Sequence, residues 1–170
     1  MYRSAINNIK KLLFNVINNN CPSSILRGKI LKLFGAIVEG NTKVEKIQFM
    51  HYEGDNMHNL IISKNVFIGP GTILDIKDKI IIGESVKIGP GCTLLTHEDC
   101  GKENIIVNKY PIKHEKTVIG KGSWIGARST ILCGTIVGEN VVIGACALVT
   151  KNIPNNSIAY GVPAKIKGAI

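Results

Sequence analysis

The chain has 170 residues, 45% of them hydrophobic, which excludes a disordered polymer and is enough to build one packed domain. Aromatics make up only 5% against 18 glycines, so the core must consist of thin, regular aliphatic layers rather than large rings. Lys and Arg outnumber Asp and Glu by 21 to 12, a formal charge of +9 that suits a phosphate-bearing ligand: nucleic acid, an anionic membrane surface or a phosphorylated small molecule.

The first stretch, residues 4–19, carries Ile6, Ile9, Leu13, Val16 and Ile17 at helical spacing. Pro22 and Ser23 then start a second predicted helix, with Ser23 as its cap and Gly35 as its stop. These make an N-terminal helical segment over residues 1–35. Residues 36–60 contain strand-like pieces such as VEKIQF but no regular pattern.

From residue 62 the pattern changes. An aliphatic residue recurs every six positions, in three runs: Ile62, Ile68, Leu74; Ile82, Ile88, Leu94; and Ile119, Ile125, Ile131, Val137, Ile143, Val149. Seven of these twelve anchors are followed directly by glycine, where chance at this glycine content gives about one, so the period is a structural repeat. Each unit reads as one short strand and one turn, with the anchor pointing inward. The glycine suits a corner that needs unusual dihedrals or close backbone approach. Four residues after each anchor the side chain is usually small or β-branched, as at Val66, Thr72, Cys92, Ser123 and Ala147. Three units close one triangular coil, and coils stack at about 4.8 Å. The fold class is therefore β, a parallel β-helix over residues 36–170. Two residues interrupt the period after Leu74, and a longer excursion inserts at about residues 97–117. Loops of that length in compact domains are commonly functional.

Five cysteines (Cys21, Cys92, Cys100, Cys133, Cys146) show neither CxxC pairing nor zinc-ligand spacing, which fits reduced thiols. No apolar run is long enough to span a membrane, and no cleavage site follows a long apolar stretch, so the expectation is a cytoplasmic protein.

The strings ILD at 73–75, THED at 96–99, GSWIGARSTI at 122–131, VVIGACALVTKNIP at 141–154 and GVPAK at 161–165 carry a specific resemblance. This sequence resembles the hexapeptide-repeat acetyltransferases, in the branch of maltose, galactoside and polysaccharide O-acetyltransferases. The resemblance implies a left-handed β-helix, a homotrimer with active sites between subunits, and acetyl-coenzyme A as co-substrate, with no metal. The left hand opposes the usual crossover rule and does not follow from the period.

His97, which opens the long excursion, matches the family's catalytic base and is chemically suited to take a proton from an attacking hydroxyl. Asp75, Asp99 and Trp124 are the acceptor-side residues that the resemblance implies, with Glu98 and Asp99 as further partners for the imidazole. His114 is a second base candidate, whereas His51 and His58 belong to no motif. For acetyl-coenzyme A the resemblance implies Ala127, Ala145, Thr150 and Lys151 along a groove, and Lys165 and Lys167 at the phosphates. No acid follows Glu139, which leaves those lysines unopposed. A covalent acyl-enzyme on Cys100 lacks any nearby partner motif.

The leading reading is an acetyl-coenzyme A-dependent O-acetyltransferase acting on a sugar hydroxyl, in surface polysaccharide biosynthesis. Its alternatives are N-acetylation of an amino sugar, serine O-acetylation, a non-catalytic solenoid, and a zinc carbonic anhydrase of the same fold. The last needs three converging histidines, and the repeat region offers only His97 and His114. Weak association with a membrane surface fits the charge; nucleic-acid binding is disfavoured by the scarcity of stacking aromatics.

Overall fold

The computed structural model describes residues 2–103 and 105–170, with side chains described from Ser4 onward. Two helices open it, α1 (Tyr2–Asn20) and α2 (Ser24–Leu33). The Ser23 hydroxyl accepts the Leu26 N–H and closes the start of α2, and Gly35 leaves it with φ +109°, a region that favours glycine.

Five complete coils follow, each contributing one strand to each of three parallel sheets. The first coil is β1 (Ile37–Val38), β2 (Lys43–Val44) and β3 (Gln48–Met50). The second is β4 (Leu60–Ile62), β5 (Phe67–Ile68) and β6 (Ile73–Asp75), and the third is β7 (Ile80–Ile82), β8 (Lys87–Ile88) and β9 (Thr93–Leu94). The excursion carries a short antiparallel pair, β10 (His97–Glu98) and β11 (Lys113–His114), and a 3-10 turn at Ile105–Asn108. The fourth coil is β12 (Thr117–Ile119), β13 (Trp124–Ile125) and β14 (Thr130–Ile131); the fifth is β15 (Ile136–Val137), β16 (Val142–Ile143) and β17 (Leu148–Val149). β18 (Ser157–Tyr160) begins a sixth turn, and β19 (Lys165–Ala169) folds back antiparallel against it.

The twelve anchors predicted to face inward are at most 1% exposed. The small positions four residues later, such as Thr72, Cys92, Ser129 and Ala147, are buried beside them. Burying each aliphatic anchor is worth about 1.5–3 kcal/mol. The glycines after the anchors serve close approach rather than unusual dihedrals. A Cβ on Gly126 would lie 2.5 Å from the Ala145 backbone nitrogen of the next coil. The left-handed residue comes two places later, for example Gly91 at φ +68° and Arg128 at φ +59°.

Two features of the fold lie outside the six-residue pattern. The repeat begins a full coil before Ile62, with Val38, Val44 and Ile47 already buried in the stack. Its period is obscured because β3 pairs Phe49, not residue 50, with the Leu74 anchor. The apolar stripe of α1 does form on one helical face, but it points away from the body. Ile9, Leu13 and Val16 are exposed, whereas Phe14 and Asn18 of the opposite face are buried. Phe14 makes edge contacts with Phe34, Phe49 and Tyr52, so an aromatic cluster docks the helix. Among the described residues, no helix is long and apolar enough to cross a membrane.

Candidate active site

The chain's departures from the six-residue period gather at one corner of the prism, where the third sheet hands over to the first. There the segment 51–59 leaves β3, residues 76–79 leave β6, and the long excursion leaves shortly after β9. Stacking places these exits one above another. Met50 pairs with Asp75, and Leu74 with Leu94, so His51, Asp75 and His97 come together from three successive coils.

Asp75 is completely buried and is the hub. Its Oδ2 accepts the backbone N–H groups of Thr96 (2.9 Å) and His97 (3.1 Å) and the Nδ1–H of His97 at 2.6 Å. Its Oδ1 accepts Nδ1–H of His51 at 2.9 Å and the backbone N–H of Lys77 at 3.2 Å. Thr96 completes the corner: its hydroxyl donates to the Asp75 carbonyl at 2.6 Å and accepts the Asp78 N–H at 3.0 Å. Burial pushes the Asp75 carboxyl up, but the hydrogen bonds from Thr96, His97, His51 and Lys77 outweigh it and hold the group below its ordinary value of 3.8. The hub is therefore a carboxylate at neutral pH and can only accept. Both imidazoles must donate through Nδ1, which leaves Nε2 of each as the free basic nitrogen.

This corrects the expectation that Asp75 faces the acceptor. The residue sits beneath the two rings and orients them. His51, which no motif singled out, joins His97 with ring centroids 4.1 Å apart at 67°. His114 lies opposite His97 in the β10–β11 pair, its ring centroid 6.2 Å away. The three atoms His51 Nδ1, Asp75 Oδ and His97 Nδ1 are close enough to surround a metal ion. However, five N–H groups already occupy the carboxylate's acceptor positions, so the donor set fits hydrogen bonding better than metal ligation. His58 is turned elsewhere, its Nδ1 3.0 Å from the Asp55 carbonyl.

The excursion bounds a half-open cavity of about 510 Å3, lined by Glu98, Asp99, Cys100, Tyr110 and Lys113 among others, with none of the histidines in its wall. Asp99 accepts the Gly101 N–H at 2.6 Å and so shapes the turn as well as the cavity wall. A smaller cavity of about 190 Å3 lies between α2 and the first coil, at a different corner. Trp124 is not brought to His97 within one chain: it stands outward and 57% exposed on β13 in the second sheet. Cys133 is buried, which pushes its thiol pKa up, and Cys100 is part-exposed with its Sγ 3.5 Å from the Tyr110 carbonyl, so neither is set up as a nucleophile.

The residues expected at acetyl-coenzyme A fall in two places. Ala127 and Ala145 stack at the corner between the second and third sheets, joined by the Cys146 N–H donating to the Ala127 carbonyl. Lys165 continues this column through its pairing with Tyr160, and Lys167 places Nζ 5.5 Å from the Tyr160 ring centroid. Thr150 and Lys151 lie at the histidine corner instead, just after β17. Sequence reasoning missed His51. The available signal was its distance behind a strand-like run, but only the register of that strand could reveal it.

Residues 116–151 match the family model of the bacterial transferase hexapeptide, six repeats. The chain is 31% identical over 167 residues to the galactoside O-acetyltransferase of Escherichia coli K12, spanning 92% of this chain and 75% of that one. The chain belongs to the hexapeptide-repeat acetyltransferases. Two solved structures agree with this placement. The maltose O-acetyltransferase of Clostridium difficile 630 superposes with a TM-score of 0.81 at 28% identity, covering 98% of this chain and 87% of that one. A galactoside acetyltransferase in complex with coenzyme A gives 0.74 at 28% identity, covering 97% and 80%. The fold of this acetyltransferase is the left-handed parallel β-helix of the family with a short N-terminal helical segment, and the protein is an acyltransferase.

Proposed function

We propose that this acyltransferase moves the acetyl group of acetyl-coenzyme A to a sugar hydroxyl, with His97 as general base. The observation that carries the reading is the seating of His97: its Nδ1 is fixed on a buried carboxylate at 2.6 Å while its side chain retains 16% exposure. The acceptor hydroxyl attacks the thioester carbonyl while its proton passes to Nε2 of His97. As the tetrahedral intermediate collapses, the C–S bond breaks and the imidazolium returns the proton to the departing thiolate, giving free coenzyme A and the acetyl ester. Asp75 stabilises the transient imidazolium and fixes its tautomer, as an acid behind a catalytic histidine does.

Acetyl-coenzyme A as co-substrate is supported by the coenzyme A complex of the galactoside acetyltransferase neighbour. Its acyl arm would run past Ala127 and Ala145, and its phosphates would meet Lys165 and Lys167. Trp124 and these residues stand apart from the His97 corner of the same chain. This favours a site completed by a neighbouring copy, in a homotrimer that also covers outward apolar residues such as Trp124 and Ile136. Surface-polysaccharide assembly is the proposed setting, supported by a relative in Escherichia coli K12 named as a putative lipopolysaccharide biosynthesis O-acetyl transferase, 43% identical over 63 residues.

The test is release of free coenzyme A from acetyl-coenzyme A in a panel of free sugars, nucleotide sugars, amino sugars and serine. Turnover on a sugar lacking any amine supports the reading. Turnover confined to amino sugars or serine would move the activity to N-acetylation or serine O-acetylation. Absence of coenzyme A binding would point to a non-catalytic solenoid.

A further inference from the structure

Asp75 serves two imidazoles, not one. Each of its oxygens holds one Nδ1: His97 on Oδ2 at 2.6 Å and His51 on Oδ1 at 2.9 Å. His51 is held there deliberately by its own segment. Its backbone lies in the left-handed region at φ +56°, unusual for a residue with a side chain. Asn56 braces that turn, donating to the His51 carbonyl at 2.7 Å and to the Ile76 carbonyl at 3.0 Å, and accepting the Glu53 N–H at 2.8 Å. Asn59 adds a second tie to the neighbouring coil, its amide donating to the Ile76 carbonyl at 3.1 Å and the Lys77 carbonyl at 3.3 Å.

From this geometry we infer that His51 is a positioning residue for acetyl transfer: through Asp75 and by direct ring contact it fixes the ring and tautomer of His97. The inference rests on His97 being the base. The rings meet edge to face with centroids 4.1 Å apart, so the placement of one restricts the other. The other charged or titratable groups around His51 are known. Asp75, Lys77 and Asp78 come from the second coil's exit, Lys77 being paired with Glu53 at 2.9 Å. Glu53, Asp55 and His58 lie on its own segment. Glu98, Lys113, His114 and Glu115 come from the excursion, with Lys113 paired to Glu115 at 3.1 Å. Among the described residues, His51 is the one ring that both meets His97 and shares its carboxylate.

Two variants separate the roles. His51→Phe keeps a ring but removes the donor, whereas His51→Asn places an amide N–H where Nδ1 stood. His51→Phe should lower kcat by about tenfold with the KM for acetyl-coenzyme A unchanged, and His51→Asn should restore most of the loss. Nitrogen-15 spectra of the unliganded wild type should show both histidines with Nδ1 protonated and Nε2 bare. In His51→Phe the His97 ring should populate both tautomers, and in His51→Asn it should return to the Nδ1-protonated form. Wild-type spectra with Nε2–H on His51 overturn the inference without any variant. So does a His51→Phe enzyme with wild-type kcat. Failure of the base assignment itself shows differently, as retained turnover in His97→Ala, and leaves the spectra unaffected.

Discussion

Replacing Asp75 by Asn tests the hub with little change in shape. The amide can keep its oxygen toward Thr96 N, His97 N and His97 Nδ1, so those three bonds become neutral. Its NH2 then faces the Lys77 N–H and Nδ1 of His51. His51 can switch tautomer and accept, but the Lys77 N–H cannot and loses its partner. An unpaired donor costs about 1–3 kcal/mol, and bonds to a charged group exceed neutral ones by about 1 kcal/mol each, so the loss should be roughly 4–6 kcal/mol. Urea unfolding at pH 7 measures it. The sign with pH follows from the depressed carboxyl: the stabilisation is complete above the ordinary value of 3.8 and is lost as acid takes the pH through and below it. The gap between wild type and variant should therefore close in acid. Turnover should fall by two to four orders of magnitude, roughly the range for a misdirected catalytic histidine. A variant with wild-type unfolding midpoint and turnover at pH 7 would refute the hub.

Neutralising Lys165 and Lys167 together should raise the KM for acetyl-coenzyme A more than that for the acceptor, and added salt should shrink the difference; equal constants at low salt would remove both lysines from the site. Light scattering should give about three times 18.4 kDa, and a monodisperse monomer that turns over would contradict a shared site. Gly126→Ala forces a Cβ to within 2.5 Å of the Ala145 nitrogen and should cost about 1–3 kcal/mol in thermal or urea unfolding, since backbone cannot yield as a side chain does.

The prism was legible from Ile62 onward because a six-residue period survives any detail of packing. The β-helix was expected from residue 36, but the strands of the first coil were not legible, since β3 pairs Phe49 with Leu74 and breaks the spacing. His97 was legible from its motif and from the excursion it opens. Asp75 was named, but its role was misread: a residue after a strand looks like a turn acid until the next coil's N–H groups are seen to close over it. His51 could not be found at all, because its meeting with His97 depends on the register of three coils rather than on any local pattern. The α1 stripe was read correctly as helical, but periodicity reports which residues share a face and not which face the body takes.

The central claim, that His97 is the base of an acetyl transfer, meets its most direct test in the turnover of His97→Ala with acetyl-coenzyme A and the best sugar acceptor. Losing one general base should lower kcat by about 100- to 10,000-fold, while the KM for acetyl-coenzyme A and the unfolding midpoint stay near wild type. Turnover close to wild type would contradict the claim and move the search for the base to His114.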